Sequence, residues 1–236
     1  MKAENIVVLT SAGISAESGL KTFRDNDGLW EGHRVEDVAT PEAFRRSPAR
    51  VQRFYNMRRA QLQNGRVAVN AAHTALAQFE QQHRGQFTLI TQNVDDLHER
   101  GGASGVLHMH GELLRAKCAA CDWAWDFEGD MGLSDVCPAC QSVKTVRPDI
   151  VWFGEMPYDM DEIFDHLAEA DIFAAIGTSG NVYPAAGFVA EAARAGAHTI
   201  EFNLEPSAGS PMFDQCRHGK AGTLVPIWTQ EIIDAL

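Results

Sequence analysis

Residues 5–19 read Asn-Ile-Val-Val-Leu-Thr-Ser-Ala-Gly-Ile-Ser-Ala-Glu-Ser-Gly, a short apolar run followed by a turn of small residues. A continuous apolar run is typical of a strand that is buried on both faces, because an exposed face would require alternating polar residues. Similar runs recur along the chain, and helix-like stretches lie between them. The runs are Phe87–Thr91, Ile172–Gly177 and His198–Asn203, and the helix-like stretches are Asn70–His83 and Tyr183–Arg194. This alternation predicts an α/β fold, a Rossmann-like parallel sheet with helices on both faces.

Two segments interrupt the alternation and are predicted to be insertions that together form a small lobe. Residues 31–68 are charged and predicted to be helical, with Pro41 and Pro48 at helix starts, where a missing N–H is tolerated. Residues 115–146 hold four cysteines and little periodic pattern, as expected of a zinc ribbon. Ligand sites in such folds lie at the carboxyl ends of the strands, here near the cleft between the lobes. The Rossmann-like domain is assigned to residues 1–30, 69–114 and 147–236.

Composition limits the classes of function. The chain has 236 residues, 45% of them hydrophobic, which suits one sizeable domain with a small satellite. No stretch approaches the ~20 apolar residues of a membrane span, and the first apolar run is too short for a signal peptide. We therefore expect a cytoplasmic protein without membrane contacts, and a monomer by default. A formal charge of −12 argues against nucleic-acid binding and suits basic partners, although it would also serve solubility alone.

The cysteines form a C-x2-C-x15-C-x2-C pattern. Each C-x2-C knuckle lets two thiolates converge on one ion, and two knuckles complete a tetrahedron. Reactive or incidental thiols are the alternative. The pattern predicts one Zn²⁺, structural because four thiolates leave no open coordination position. Its ligands would be Cys118, Cys121, Cys137 and Cys140, whereas the isolated Cys216 is predicted to be a small buried apolar residue.

The turn at Ser11–Gly19 would let backbone N–H groups approach a pyrophosphate at a helix N-terminus. A tight connection without a ligand would look the same, because the standard G-x-G-x-x-G is absent. Two polar segments favour a ligand site. Lys21–Trp30 is long and polar and is expected to cover the cofactor site. Thr91–His98 follows another predicted strand, so its polar groups lie at the carboxyl end of that strand.

Six segments, in order, resemble the signatures of the sirtuin family. Ser11–Arg24, Thr91–His98 and His108–Glu112 are similar to G-A-G-I-S-A-E-S-G-I-x-T-F-R, T-Q-N-I-D-x-L-H and H-x-H-G. Further matches are Val151-Trp-Phe-Gly-Glu155, Gly177-Thr-Ser-Gly180 and Asn203-Leu-Glu205. The resemblance runs from residue 6 to beyond residue 220, and it is strongest to the short bacterial sirtuins of class III. Ser11 departs from the family's usual glycine.

This resemblance implies that the chain removes acyl groups from lysine while consuming NAD. In the family the acyl oxygen displaces nicotinamide from the ribose. A base then activates a ribose hydroxyl, so that the products are lysine, nicotinamide and O-acyl-ADP-ribose. His110 matches this general base, a task that suits imidazole because its pKa lies near working pH. His108 has no such role in the family and is expected to be structural.

The resemblance also implies the NAD-binding residues. Asn93 and Asp95 match the nicotinamide pocket and Gln92 a ribose contact, while Arg24 would help to neutralise the pyrophosphate. Phe23 would shield the reacting ribose from water, or would be ordinary core. Backbone near Ala221 would contact adenine. The full set is Ala12, Gly13, Ile14, Thr22, Phe23, Arg24, Trp30, Gln92, Asn93, Asp95, Gly177, Thr178, Ser179, Asn203, Leu204, Glu205 and Ala221.

Acylated-lysine peptides are the implied partners, added as a strand between two loops through main-chain hydrogen bonds. Tyr55 and Arg58 match the Tyr-x-x-Arg of class III sirtuins, whose pocket accepts succinyl and malonyl groups. Their i, i+3 spacing places both on one helix face. A solvated basic helix face, with Tyr55 used only in packing, would show the same pattern. Arg59 is expected to point elsewhere and to be a silent control. The implied loop contacts are Val151, Phe153, Gly154, Glu155, Asn181 and Val182.

Three rival functions remain open. A mono-ADP-ribosyltransferase would cleave the same bond of NAD. A nicotinamide oxidoreductase would share the sheet but would not need the H-x-H-G segment. A zinc-ribbon module for nucleic acid would fit the cysteines but not the net charge.

Overall fold

The computed structural model describes residues 4–20, 29–30 and 33–235, and it describes the side chains of all of these except residues 29 and 30. The strands are β1 Asn5–Thr10, β2 Leu29–Trp30, β3 His33–Arg34, β4 Gln86–Thr91, β5 Val106–His108, β6 Gly111–Cys118, β7 Ala124–Asp126, β8 Val146–Ile150, β9 Ile172–Ile176, β10 His198–Asn203 and β11 Gln215–His218. The helices are α1 Ala12–Ser15, α2 Val35–Val38, α3 Pro41–Arg46, α4 Pro48–Gln63, α5 Ala71–Gln82, α6 Leu97–Arg100, α7 Met160–Glu169, α8 Phe188–Ala195 and α9 Ala221–Ala235.

Within the described residues, six strands form one parallel sheet in the order β11-β10-β9-β1-β4-β5. The central strand β1 is apolar throughout because both of its faces are covered. Ile6 and Val8 pack into a core with residues of α5 and α9, whereas Val7 and Leu9 pack into a second core with residues of α7 and α8. The predicted Rossmann-like α/β fold is confirmed.

The end of one predicted strand and the start of one predicted helix differ from the observed ones. The strand expected to reach Gly177 ends at Ile176, because Gly177 has φ +68° and has left the extended region. The helix expected over Tyr183–Arg194 begins only at Phe188, after a 3-10 turn at Ala185–Gly187. Gly196, with φ +99°, ends this helix as expected of a C-cap glycine.

The insertions form two smaller structures beside the sheet. Pro41 and Pro48 stand at the starts of α3 and α4, as predicted, and the Thr40 hydroxyl caps α3. The second insertion is an antiparallel sheet in the order β7-β6-β8, and its strands β6 and β8 cross the predicted boundaries at residues 115 and 146. None of the described helices combines the length and apolarity needed to cross a bilayer.

Arg59 connects the two insertions. It is 1% exposed, and its guanidinium donates to the carbonyl oxygens of Leu113 at 2.6 Å, Gly129 at 3.3 Å and Phe127. These carbonyls belong to β6 and to the ribbon segment after β7. Replacing Arg59 would leave buried carbonyls without a partner, which is costly. Arg59 is therefore not the silent control that the sequence predicts.

Gly13 and Gly177 pack backbone against backbone where β1 and β9 end. The Gly13 nitrogen donates to the Gly177 carbonyl at 3.0 Å. A Cβ on Gly13 would lie 2.5 Å from the Gly177 Cα, and a Cβ on Gly177 would lie 2.5 Å from the Ile14 nitrogen. Only glycine fits at either position, so this contact fixes the turn after β1 beside the turn after β9.

Gly177→Ala should destabilise the protein more than Gly65→Ala does. Gly65 has a similar φ of +76° but nothing within 4 Å of the position that a Cβ would take, so its substitution should cost only the left-handed conformation, about 1–2 kcal/mol. Gly177→Ala should cost a further 1–3 kcal/mol or so because backbone atoms must move. Urea unfolding of both variants measures the difference, and equal losses would show that the close approach is not a constraint.

Candidate active site

The predicted cofactor residues meet at one edge of the sheet. Those from the Ala12 turn follow β1, those from Gln92 to Asp95 follow β4, those from Gly177 to Ser179 follow β9, and Asn203 ends β10. These four strands are neighbours in the sheet, so their carboxyl ends lie side by side. The structure thus brings together segments that are far apart in sequence, at the edge where ligands of such sheets bind.

Asn93 and Asp95 are joined through a residue that the sequence reasoning missed. The Ser15 hydroxyl accepts from Asn93 Nδ2 at 3.1 Å and donates to Asp95 Oδ2 at 3.2 Å. Asn93 Nδ2 also donates to the carbonyl of Ser11 at 3.2 Å. Since both amide protons are used inside the protein, the amide oxygen of Asn93 is available as an acceptor. The available signal for Ser15 was its place in the small-residue turn.

Asp95 is 7% exposed. Burial raises its pKa to about 6, although hydrogen bonds from the Leu97 nitrogen and the Ser15 hydroxyl oppose the shift. The side chain is therefore a carboxylate above that pH and a neutral acid below it. A carboxylate here can accept from a carboxamide N–H or order a water molecule.

A chain of buried, hydrogen-bonded polar groups connects to the backbone of Asn93. The Thr10 hydroxyl lies 2.9 Å from His98 Nε2 and 2.9 Å from the Thr91 hydroxyl, which accepts from the Asn93 nitrogen at 3.0 Å. Burial lowers the pKa of His98 to about 3, so this imidazole is neutral at working pH. His98 was also missed, although it closes the Thr91–His98 segment.

His110 lies between β5 and β6, at the same edge of the sheet. Its Nδ1 is 3.1 Å from the carbonyl oxygen of Gln92. A carbonyl can only accept, so Nδ1 carries the proton and Nε2 keeps a lone pair. Burial lowers the pKa of His110, opposed by the bond to Gln92, and this favours the neutral form at neutral pH. Nε2 of His110 can therefore take up a proton, whereas His108 binds Glu99 at 2.8 Å.

The other half of the edge presents groups suited to a ribose and its phosphates. Gln92 Nε2 donates to the Thr178 hydroxyl at 3.4 Å, and Asn203 Nδ2 donates to the Thr178 carbonyl at 2.7 Å. Leu204 and Glu205 are exposed beside them. Ala221 begins α9, and the next nitrogen, of Gly222, donates to Glu17 at 2.9 Å, which ties α9 to the first turn.

One of the two proposed peptide loops is bonded to His110. The Val151 nitrogen donates to the His110 carbonyl at 2.9 Å, so the loop from Val151 to Glu155 is fastened to the base itself. Phe153 is 51% exposed, and Gly154, Asn181 and Val182 are exposed as well. Exposed loop residues of this kind suit contact with a partner strand.

Four predicted contacts cannot be placed. Thr22, Phe23 and Arg24 lie outside the described residues, and so does the side chain of Trp30.

Tyr55 and Arg58 share one face of α4. Tyr55 is fully buried, and its hydroxyl accepts from Trp152 Nε1 at 2.9 Å. Arg58 is half-buried, with its guanidinium 4.7 Å from the centroid of the Phe54 ring. Their use as an acyl pocket stays a prediction.

The four paired cysteines converge at one point of the ribbon. The Sγ atoms of Cys118 and Cys140, and those of Cys121 and Cys137, are each 3.7 Å apart, and all four lie within 4.8 Å of one another. A tetrahedron of Zn–S bonds of about 2.3 Å has edges of about 3.8 Å, so the cluster fits Zn²⁺.

Hydrogen bonds around Cys118 favour its thiolate form. Burial alone would raise the pKa of Cys118, but the Thr145 hydroxyl and the Ala120 nitrogen outweigh it and hold this pKa below its ordinary value. The zinc would be structural, since it ties β6 to the end of the ribbon.

Cys216 lies outside this cluster and is only half-buried, with its Sγ donating to the Ser210 carbonyl at 3.5 Å. The prediction of a buried apolar residue is therefore wrong.

Cys140→Ser should lower the zinc content and the melting temperature, because metal binding at such a site is folding free energy. Cys216→Ser is the matched control and should keep one zinc per chain. Elemental analysis and thermal unfolding check both. Full zinc content and stability in Cys140→Ser would exclude the structural zinc.

Comparisons with known proteins agree with this geometry. The model of the Sir2 family matches residues 11–184. The NAD-dependent protein deacylase of Yersinia pseudotuberculosis serotype I (strain IP32953) is 56% identical over 233 residues, which cover 99% of this chain and 84% of the relative.

Two solved structures are also similar. A Sir2 homologue in complex with NAD has a TM-score of 0.88 at 37% identity, covering 99% of this chain and 91% of that one. Sir2Af2 bound to a myristoylated histone peptide has a TM-score of 0.75 at 31% identity, covering 99% and 93%. Since the family model matches most of the chain and the relatives align along nearly all of it, this chain belongs to the Sir2 family.

Proposed function

We propose that this chain removes acyl groups from lysine side chains in an NAD-dependent reaction, and that these groups include succinyl as well as acetyl. The observation that carries the proposal is the orientation of His110. Its Nδ1 proton is held by the Gln92 carbonyl, while its own carbonyl anchors the loop from Val151 to Glu155. The proposed base is therefore hydrogen-bonded both to the residue that precedes Asn93 and to the proposed peptide loop.

The residues of the chain divide the chemistry between them. NAD, when bound, supplies the ribose carbon that accepts the acyl group and nicotinamide as the leaving group. The amide oxygen of Asn93 and the carboxylate of Asp95 would orient the nicotinamide carboxamide, since both can accept its N–H groups. His110 Nε2 would take the proton of a ribose hydroxyl and so make it a nucleophile.

The family comparisons support deacylation over the rival functions. A relative at 56% identity bears the name NAD-dependent protein deacylase, and Sir2Af2 was solved with an acylated histone peptide. Mono-ADP-ribosylation is not favoured by these findings. Mass analysis of the product separates the two, because one reaction adds ADP-ribose to the protein and the other removes an acyl group.

Several expectations from the sequence belong to this proposal. They are a monomeric state, a cytoplasmic location, the lack of nucleic-acid binding, and the division into a Rossmann-like domain with a two-part small lobe. The formal charge of −12 supports the third, since it repels phosphates.

His110→Ala should lower deacylation by at least ~100-fold, the usual scale for a general base. The control is His198→Ala, since His198 is exposed at the amino end of β10, opposite to the site. Turnover of an acetyl-lysine peptide and circular dichroism check both variants. Near-normal turnover in folded His110→Ala would refute the assignment.

Arg58→Met should lower desuccinylation by more than tenfold. A guanidinium can bind the distal carboxylate of succinyl-lysine in bidentate fashion, and the loss of such a bond costs roughly 1.5–3 kcal/mol. Deacetylation should fall much less, because an acetyl group offers no charge. Paired kcat/KM values for succinyl and acetyl peptides measure this.

The matched control for Arg58 is Arg53→Met. Arg53 lies on the same helix, but it is exposed. Its substitution should leave both activities within about twofold, since surface changes are mild. Equal losses of the two activities in Arg58→Met would exclude a carboxylate-binding role.

A further inference from the structure

Trp152 belongs to the proposed peptide loop, and its side chain contacts α4, the helix that carries the proposed acyl pocket. It is 2% exposed, packs against Phe44 with ring centroids 5.4 Å apart, and donates from Nε1 to the Tyr55 hydroxyl at 2.9 Å. This bond joins the segment after β8 to α4 across 97 residues of sequence. Trp152 is not among the site residues that the sequence implies.

The bond constrains the direction of the Tyr55 proton. A phenol oxygen accepts and donates in directions roughly 120° apart, so a donor on one side sends the phenol's own proton to the other side. Burial raises the pKa of Tyr55, so the phenol stays protonated at neutral pH. Tyr55 therefore acts as an acceptor toward Trp152, and its own proton points away from Trp152.

Trp152 is itself held by an ion pair. The guanidinium of Arg147 lies 3.4 Å from the centroid of the Trp152 ring and binds Glu155 through two bonds, of 2.6 and 2.9 Å. Glu155 also accepts from the Trp152 nitrogen at 2.8 Å. A bidentate pair with a stacked cation fixes both the backbone and the ring plane of Trp152.

We propose that Trp152 is a specificity-determining positioning residue, which fixes the Tyr55 hydroxyl so that it can donate to the distal carboxylate of a succinyl group. This rests on the proposed desuccinylase function. Arg147 and Glu155 act through Trp152, and they tie acyl selection to the same loop that receives the peptide. A phenol without this bond could rotate its proton away, and the carboxylate would then lose one of its partners.

The test is the ratio of kcat/KM for a succinyl-lysine peptide to that for the matching acetyl-lysine peptide. Trp152→Phe keeps an aromatic ring under Arg147 but removes the N–H, and it should lower the ratio about fivefold, the scale of one hydrogen bond. The control is Trp228→Phe, a change at a buried tryptophan in the core beside α5. That variant should lose stability without a change in the ratio, as a purely structural effect would.

A double-mutant cycle completes the test. Tyr55→Phe should lower the ratio, and adding Trp152→Phe to it should lower the ratio no further, because the hydroxyl that Trp152 positions is already gone. Additive losses in the double mutant would overturn the inference. If Trp152→Phe does not fold, Glu155→Gln, which weakens the bonds to Arg147, should lower the ratio in the same direction, and an unchanged ratio would overturn the inference.

Failure of the inference and failure of the proposed function give different results. If Arg58→Met and Tyr55→Phe both leave the ratio unchanged, the succinyl pocket is wrong and the role of Trp152 is lost with it. If these two variants lower the ratio and Trp152→Phe does not, only the role of Trp152 is overturned.

Discussion

Where β1 and β9 end, the Gly13 nitrogen donates to the Gly177 carbonyl, and neither residue has room for a Cβ. Because these strands are adjacent and parallel, the contact fixes the two turns that open the candidate cofactor site. Ser15 follows in the first of these turns and reaches Asn93 and Asp95. Thr178 follows in the second and reaches Gln92 and Asn203. The polar groups that follow four strands are thus linked to the two turns that this contact joins.

Fully buried polar residues lie on the inner side of the candidate site, and half-buried or exposed residues lie on its outer side. Thr10, Thr91 and His98 form a buried hydrogen-bonded chain, and a neutral His98 avoids the cost of a buried charge. These hydrogen bonds hold the turn at Asn93 and do not use the groups that would bind the ligand. Above it, His110 is oriented by one carbonyl and is joined through its own carbonyl to the peptide loop. The proposed reaction needs a base that is held in a fixed orientation, because a proton can be transferred only over hydrogen-bond distance.

The small lobe depends on two kinds of cross-link. The four cysteines bring the ends of the ribbon together around one point, and Arg59 binds the ribbon carbonyls from α4. Arg58, the next residue toward the amino end of α4, belongs to the proposed acyl pocket, and Trp152 reaches the same helix from the peptide loop. A zinc ion held by these cysteines would stabilise the ribbon that Arg59 binds, and with it the helix that carries the proposed acyl pocket.

The sequence by itself determined the fold class, the family and the four cysteines of the candidate zinc site, and it predicted His110 as the general base. These follow from local patterns: buried parallel strands are apolar on both faces, C-x2-C pairs converge on a metal, and the motifs stand in order. Only the tertiary structure decided the roles of Ser15, His98, Arg59 and Trp152, which form their contacts with residues 54–97 positions away. Adjacent arginines looked equivalent in sequence, yet α4 turns Arg59 into the ribbon and leaves Arg58 on another face, because successive helical residues point about 100° apart. A buried side chain is defined by what folds against it, and no local pattern carries that information.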